Sequence, residues 1–401
     1  MNKIINGDCI RFKVFSDIEK LKKRLMNFET FNPLNVSSKF AICGLPLRVD
    51  SYKTCSFGCK YCFANCRKVM EFEKKVKIAN INSMKTKLEK IYVKKEYNKK
   101  SFLDYLLRER ITWHWGGMSD PFQPIEKTLK VTSQMLEITN RHNISILFST
   151  KSDDVYDWKN LNPQLHSFQM SISSLEDRKD IEPFVPNMKN RIKFYKKLKA
   201  KGFKVGIRVQ PFIPKVTKSN IVDEFKDADY FTIEGLKIVP QNKEHKEYLL
   251  KILNISQEDF LQKGLLNLKP EIRVKLYKNF IEKLEKFKIP YSLADNDLHH
   301  ISSSKCCCGE PLIKKSTNFN NTALFFKNPN YNLEDVKREL GNCADCVVNH
   351  LFTSNRQEGC KTITEFYDKR FDRKTSPFSK KYIYNFHQKD LLDYEEQEQL
   401  K

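Results

Sequence analysis

From about Phe40 onward, short runs of β-branched and aromatic residues alternate with stretches of helical periodicity, and this alternation narrows the possible folds more than any other feature. Thr112–Gly117, Ile144–Thr150, Phe168–Ser173, Val205–Phe212, Phe231–Val239 and Pro290–Ala294 read as strands. Lys127–Arg141, Asn187–Lys201 and Pro270–Lys288 read as helices, with Gly202 where a C-cap belongs. Repeated strand–helix–strand units imply a parallel sheet with right-handed crossovers, so the expected class is α/β, an open or closed barrel. A first strand is expected over Phe40–Val49. The heavily charged stretch Glu71–Arg110 reads as a helical hairpin inserted on the outside. The expected organisation is an N-terminal extension (1–39) with a Lys-rich helical stretch from Ile18 to Phe28, a barrel (40–300), and a Cys-rich basic C-terminal region (301–401).

Directly after the expected first strand stand Cys55, Cys59 and Cys62, spaced C-x3-C-x2-C, with Tyr61 and Phe63 flanking the third cysteine and Gly58 permitting a tight turn. Three thiolates so close together can hold three corners of a cubane [4Fe-4S] cluster, which normally takes four cysteine ligands; one iron is then left open. Structural zinc is the alternative, but it usually shows paired C-x2-C units or a Cys/His mixture. A disulfide scaffold fits less well, because the twelve cysteines are clustered unevenly and no charged-plus-apolar leader is apparent. A reducing, cytoplasmic setting is expected.

With 401 residues, 40% apolar and 12% aromatic, the chain can bury a sizeable core, and no run approaches the roughly 20 apolar residues of a membrane span. No membrane partner is expected. A formal charge of +23 points to a polyanionic partner, nucleic acid first. The excess of Lys over Arg, with abundant Asn and Ile, offers compositional drift as another source of the charge.

In α/β barrels reactive groups gather at the C-terminal ends of strands. Gly116, Gly117 and Ser119 follow the second strand, Lys151 the third and Ser171 the fourth. Glycines let a ligand approach the backbone, Lys151 can pair with a carboxylate, and the serines can hydrogen-bond. A loop serine or lysine is ordinarily only solvated; one group per strand, in order, says more.

These segments resemble the spore photoproduct lyase-like branch of the radical S-adenosylmethionine (radical SAM) superfamily. The resemblance is carried by the cysteine triad, Ser119-Asp-Pro-Phe-Gln-Pro124 with Glu126, Thr150-Lys151, Ser171-Ile-Ser173, Ile181-Glu-Pro183 with Arg191, and Val205-Gly-Ile-Arg-Val-Gln-Pro-Phe-Ile-Pro214, and it covers roughly residues 40–300. It implies a partial (β/α)6 barrel, a [4Fe-4S] cluster on Cys55, Cys59 and Cys62, S-adenosyl-L-methionine chelated at the open iron, and a 5′-deoxyadenosyl radical that abstracts hydrogen. It further implies that Ser119, Lys151 and Ser171 contact S-adenosylmethionine, Lys151 holding its carboxylate. A one-electron reductant such as flavodoxin or ferredoxin is the implied partner. The repair enzyme itself has a hydrogen-donating cysteine two residues before the serine matching Ser119 and a tyrosine just after the third cluster cysteine. Gly117 and Phe63 stand there instead, so a different reaction is expected, on a nucleotide in DNA or RNA; a peptide or small metabolite is the rival substrate, and a non-enzymatic metal-stabilised nucleic-acid binder the rival class.

The C-terminal region adds Cys306, Cys307, Cys308, Cys343, Cys346 and Cys360. They read as a second iron–sulfur cluster or a zinc site, with buried apolar thiols as the alternative. Asp295, Asp297, His299 and His300 stand just before them, facing substrate or solvent. The basic, aromatic stretch Tyr367–Tyr384 suits a surface that tracks a nucleic-acid backbone, or a solvated helix.

Overall fold

The computed structural model describes residues 28–37, 43–64, 77–99, 101–239, 243–261, 266–295, 298, 301–304 and 306–317. Most of the N-terminal extension, Asp297, His299, His300, Cys343, Cys346, Cys360 and the stretch Tyr367–Tyr384 lie outside the described residues.

One eight-stranded sheet organises the molecule: β1 (Leu34–Val36), β2 (Leu47–Val49), β3 (Trp113–Trp115), β4 (Ile146–Thr150), β5 (His166–Ser171), β6 (Lys204–Phe212), β7 (Tyr230–Gly235) and β8 (Tyr291–Leu293). Spatial order follows chain order without a switch, from β8 at one edge to β1 at the other. Strands β2 to β8 are mutually parallel, and only β1 runs antiparallel, against β2. Six successive parallel strands, β2 to β7, therefore make the expected (β/α)6 arrangement, left open, with a seventh strand and an antiparallel strand at its edges. The strands at Phe40–Val49 and Phe231–Val239 are shorter than expected: Pro46 and Gly44 precede β2, and Leu236 separates β7 from a further two-residue strand, Lys237–Ile238.

The crossover from β2 to β3 corrects one expectation. Its helices Ile81–Leu88 and Phe102–Arg108 do not sit outside the fold as an insertion. Met84, Leu88, Ile91, Phe102, Leu106 and Leu107 are buried in the main core, because apolar residues at helical spacing outweigh the charges between them.

Parallel partners share a face, and the two faces of this sheet differ in kind. Val49, Trp115, Phe148, Phe168 and Val205 lie in register on one face, extended by Met170, Ile207 and Phe231. That face is apolar and lies beneath helices; Phe168, for example, meets Phe194 of helix Met188–Ala200 edge-on at 6.3 Å. The opposite face carries Arg48, His114, Ser149, Gln169, Ser171, Arg208 and Thr232. Across this polar face runs a strap, residues 306–317. Tyr230, Thr232 and Gln169 donate to the carbonyls of Cys306, Cys307 and Cys308, at 2.9, 2.8 and 3.0 Å, and Ser167 donates to that of Leu312. The strap ends where Thr317 N donates to Gly44 O at 2.9 Å, beside β2. Among the described residues no helix is long and apolar enough to cross a membrane.

Candidate active site at the strand ends

The loop after β2 carries the three cysteines, and neighbouring strand ends hold it in place. Gln123 grips it twice: its Oε1 accepts from Ser56 N at 2.7 Å and its Nε2 donates to Thr54 O at 2.9 Å. On the other side Lys60 N donates to Ile181 O at 2.9 Å. Gly58 takes a φ of 61°, the left-handed turn the sequence anticipated. Cys59 is buried, Cys55 and Cys62 half-buried, and none is in a disulfide. Burial, then the charge of Asp120, pushes the Cys55 thiol up to about 12, and burial with Glu182 pushes Cys59 well above its ordinary value. Each would-be thiolate also repels its neighbours. Three thiolates here need a cationic core to be stable, and that is the condition a metal cluster meets. The backbone N–H groups of Phe57 and Asp120 draw the Cys55 thiol part of the way back down, the kind of donor that tunes a cluster sulfur.

Among the described residues no three His, Cys, Asp or Glu side chains stand so as to hold a metal ion. A tetrahedral zinc with Zn–S near 2.3 Å needs its sulfurs only about 3.8 Å apart. A cubane needs them wider, since each thiolate takes a different iron. Cys55, Cys59 and Cys62, three free thiols of one loop, are the donor set such a cluster would take. Cys306, Cys307 and Cys308 form no metal cage among the described residues either.

Beside the cysteine loop lies a charged centre that the sequence reading half anticipated. Lys151, at the end of β4, has a carboxylate partner within the chain: Nζ is 2.9 Å from Glu182 Oε1. Glu182 also accepts from Ser173 Oγ at 2.8 Å and from the phenol of Tyr61. Burial alone would raise this carboxyl, but Lys151 and Arg191, with the hydrogen bonds from Tyr61 and Lys151, hold it down at about 2. Lys151 Nζ also stands 5.8 Å from the Tyr61 ring centroid. Glu182 was quoted in the motif without a role; the available signal was a carboxylate in the turn after β5, within a strongly basic chain.

The remaining expected residues line the same rim. Gly116 has φ +99°, and a Cβ there would meet Ser149 O at 2.4 Å; at Gly117 the nearest atom would be Arg48 Nη1 at 3.7 Å. Ser119 is buried, its hydroxyl donating to Tyr52 O at 2.5 Å. The Ser171 hydroxyl donates to Gln210 O at 3.2 Å, and its carbonyl accepts from Lys151 Nζ at 3.5 Å and from Arg191. Two acids tie this rim together, Asp120, quoted in the motif without a role, and Asp50, which the sequence reading passed over. Asp120 accepts from Thr150 Oγ1 at 2.9 Å and from Lys151 N at 2.6 Å, and burial pushes it up to about 6. Asp50 accepts from the backbone of Met118 and Ser119 at 2.9 and 3.1 Å, and burial pushes it up to about 7. Deeper on the polar face, His114 Nε2 is 2.7 Å from Ser149 Oγ, while its buried Nδ1 has no hydrogen-bond partner among the described residues. Asp295 is withdrawn from any such role: it is buried against Arg273 at 3.1 Å and Lys237 at 3.2 Å, and accepts from Tyr277 at 2.7 Å.

No family model matches the chain. It is 29% identical to an uncharacterized protein of Methanocaldococcus jannaschii over 237 residues, which are 57% of this chain and 83% of the relative. Among solved structures it is similar to spore photoproduct lyase, one variant overlapping 73% of this chain and 88% of its own at 13% identity and a TM-score of 0.49. It is also similar to SuiB of Streptococcus suis bound to S-adenosylmethionine, over 64% of this chain and 52% of that one, at 12% identity and a TM-score of 0.36. Identities this low carry no residue role across, and the roles below rest on this chain's own geometry.

Proposed function

We propose that this chain is a radical S-adenosylmethionine enzyme. One observation carries the reading: three cysteines of one clamped loop stand at the C-terminal mouth of a sequentially ordered parallel sheet, beside the buried pair Lys151–Glu182. Cys55, Cys59 and Cys62 would hold a [4Fe-4S] cluster, leaving one iron open. When bound, the cluster supplies one electron that opens a carbon–sulfur bond of S-adenosylmethionine.

The chain's own part is to bind, orient and exclude water. Lys151 offers its ammonium to the carboxylate of S-adenosylmethionine, and Glu182 keeps that ammonium poised beside Tyr61 until the ligand arrives. Gly117, with ordinary room beside it, lets a ligand approach the backbone, while Gly116 packs against Ser149 O and stands with Ser119 and Ser171 on the same rim. The hydroxyls of Ser119 and Ser171 serve chain carbonyls, so their part here is to hold the rim while backbone groups face the ligand. The strap covers Gln169 and Thr232, so the substrate is assigned to the half-buried groups of the polar face, Arg48, Ser149, Ser171 and Arg208.

The charge of +23 favours a nucleotide in DNA or RNA as substrate and an acidic one-electron carrier such as flavodoxin or ferredoxin as reductant, in the cytoplasm. A peptide or metabolite substrate remains the second reading, supported by the polar lining alone. The test is anaerobic reconstitution with iron and sulfide, then dithionite and S-adenosylmethionine. Release of 5′-deoxyadenosine by the protein, lost in Cys59→Ala, supports the reading; stoichiometric zinc with no bound iron or sulfide overturns it. Deuterium passing from labelled nucleic acid into 5′-deoxyadenosine identifies the substrate class, and deuterium from a peptide or metabolite instead transfers the assignment to the second reading. Ultraviolet-damaged thymine should go unrepaired, given Gly117 and Phe63.

A further inference from the structure

Arg48, in the middle of β2, is a cation without a carboxylate partner. Three other cations of the polar side and its strand ends are neutralised: Lys151 by Glu182 at 2.9 Å, Arg208 by Glu234 at 3.4 Å, and Lys237 by Glu234 at 2.5 Å and Asp295 at 3.2 Å. Among the described residues the Arg48 guanidinium makes one hydrogen bond, from Nη2 to Cys43 Sγ at 3.4 Å, and sulfur is a weak acceptor. Asp50, two residues further on, spends its Oδ1 on the backbone N–H groups of Met118 and Ser119, at 2.9 and 3.1 Å, and forms no ion pair with Arg48. The guanidinium is half-buried and reaches the rim. A Cβ at Gly117 would stand 3.7 Å from Nη1 and 3.8 Å from Cδ. Gly117 is half-buried too, and its N–H has no hydrogen-bond partner among the described residues. Two donors without acceptors thus stand side by side at the mouth of the sheet.

We propose that Arg48 and the Gly117 N–H hold a phosphate of the substrate, anchoring a nucleotide or nucleic-acid strand on the β2–β3 side of the mouth. The donors set the chemistry. A guanidinium presents a planar fork that matches two phosphate oxygens, and the backbone N–H of a glycine adds another donor with no side chain in the way. The space beside Nη1 that a Cβ at 117 would take is the space such an oxygen would use. An uncharged ligand there leaves the fork unsatisfied, which costs free energy in a half-buried position. Arg208 lacks this capacity, because Glu234, Gln169 and Gln210 already occupy its fork. The inference rests on the nucleotide reading above and names the group by which that substrate is held. Phosphate binding itself needs neither the cluster nor S-adenosylmethionine.

The test titrates the full-length protein with two dinucleotides of the same bases, one joined by a phosphodiester and the other by an uncharged methylphosphonate. Binding is read by calorimetry in about 0.15 M salt, which screens the general charge of the chain. Wild type should prefer the phosphodiester by about tenfold or more. Arg48→Lys should keep part of that preference and Arg48→Met should lose it. Gly117→Asp, at a position with room for a side chain, sets a carboxylate beside the guanidinium and should lose it as well. Equal affinity of wild type for the two linkages, no binding of either, or a preference that survives in Arg48→Met or Gly117→Asp would overturn the assignment. Because Gly117→Asp leaves Arg48 in place, it decides the question even where Arg48→Met fails to fold. Release of 5′-deoxyadenosine by the reconstituted protein is scored separately. Release without a phosphodiester preference removes this inference alone, and a preference without release removes the radical reading alone.

Discussion

Gly116 and Gly117 are adjacent but carry different obligations. At Gly116 a side chain meets both a left-handed backbone and a carbonyl 2.4 Å away, whereas Gly117 has ordinary room. Gly116→Ala should cost about 2–4 kcal/mol in chemical denaturation, and Gly117→Ala should stay within about 0.5 kcal/mol. The buried acids differ in the same residue-specific way. Asp50 titrates at about 7 in the folded chain against 3.8 for a free carboxyl, so the folded state binds the extra proton between those values and stability falls as pH rises through that window. At roughly 1.4 kcal/mol per pH unit the cost approaches about 4 kcal/mol above pH 7. Asp50→Asn should therefore gain stability over wild type above pH 7, and the gain should vanish near pH 4. Glu182 runs the other way: its folded value of about 2 lies below 4.5, so its contribution is present above pH 4.5 and is lost as pH falls toward 2. Glu182→Gln strands the ammonium of Lys151 and should cost about 3–5 kcal/mol at pH 7, measured by urea titration.

At the scale of elements, the sheet was legible because each strand alternates within a few residues and needs no distant partner to be recognised. The inserted-hairpin expectation failed for the opposite reason. Between Met84 and Leu88, and between Phe102 and Leu106, lysines and acids mask an apolar stripe whose burial shows only once the sheet lies against it. Lys151 was legible as a cation at a strand end, but its partner Glu182 stands 31 residues on, and the pairing depends on two loops converging. The strap was invisible because its hydrogen bonds join residues such as Gln169 and Cys308, 139 positions apart. Its fixed point is Gly309, with φ +86° and a Cβ site 2.7 Å from the Tyr230 ring. Gly309→Ala should loosen the strap first, read as faster amide hydrogen exchange at Leu312 with little change along β3 and β4.

For the whole molecule the charge is the property most open to test. If nucleic acid is the partner, phosphate contacts release counterions, and binding should weaken roughly tenfold or more between low and physiological salt in a fluorescence-anisotropy titration. Salt-insensitive or undetectable binding would favour a small uncharged or peptide substrate.

The sheet's two faces divide the positions of each strand by parity. Odd and even positions answer to separate demands, one set to packing under the helices and the other to hydrogen-bonding the strap. A saturation-mutagenesis map scored for folded yield should therefore alternate along β5 and β6, accepting only apolar residues at Phe168, Met170, Val205 and Ile207 and only residues able to keep the strap and Glu234 bonded at Gln169 and Arg208. Any exchange of substrate in a chain built this way has to leave the strap's bonds to Ser167, Gln169, Tyr230 and Thr232 in place.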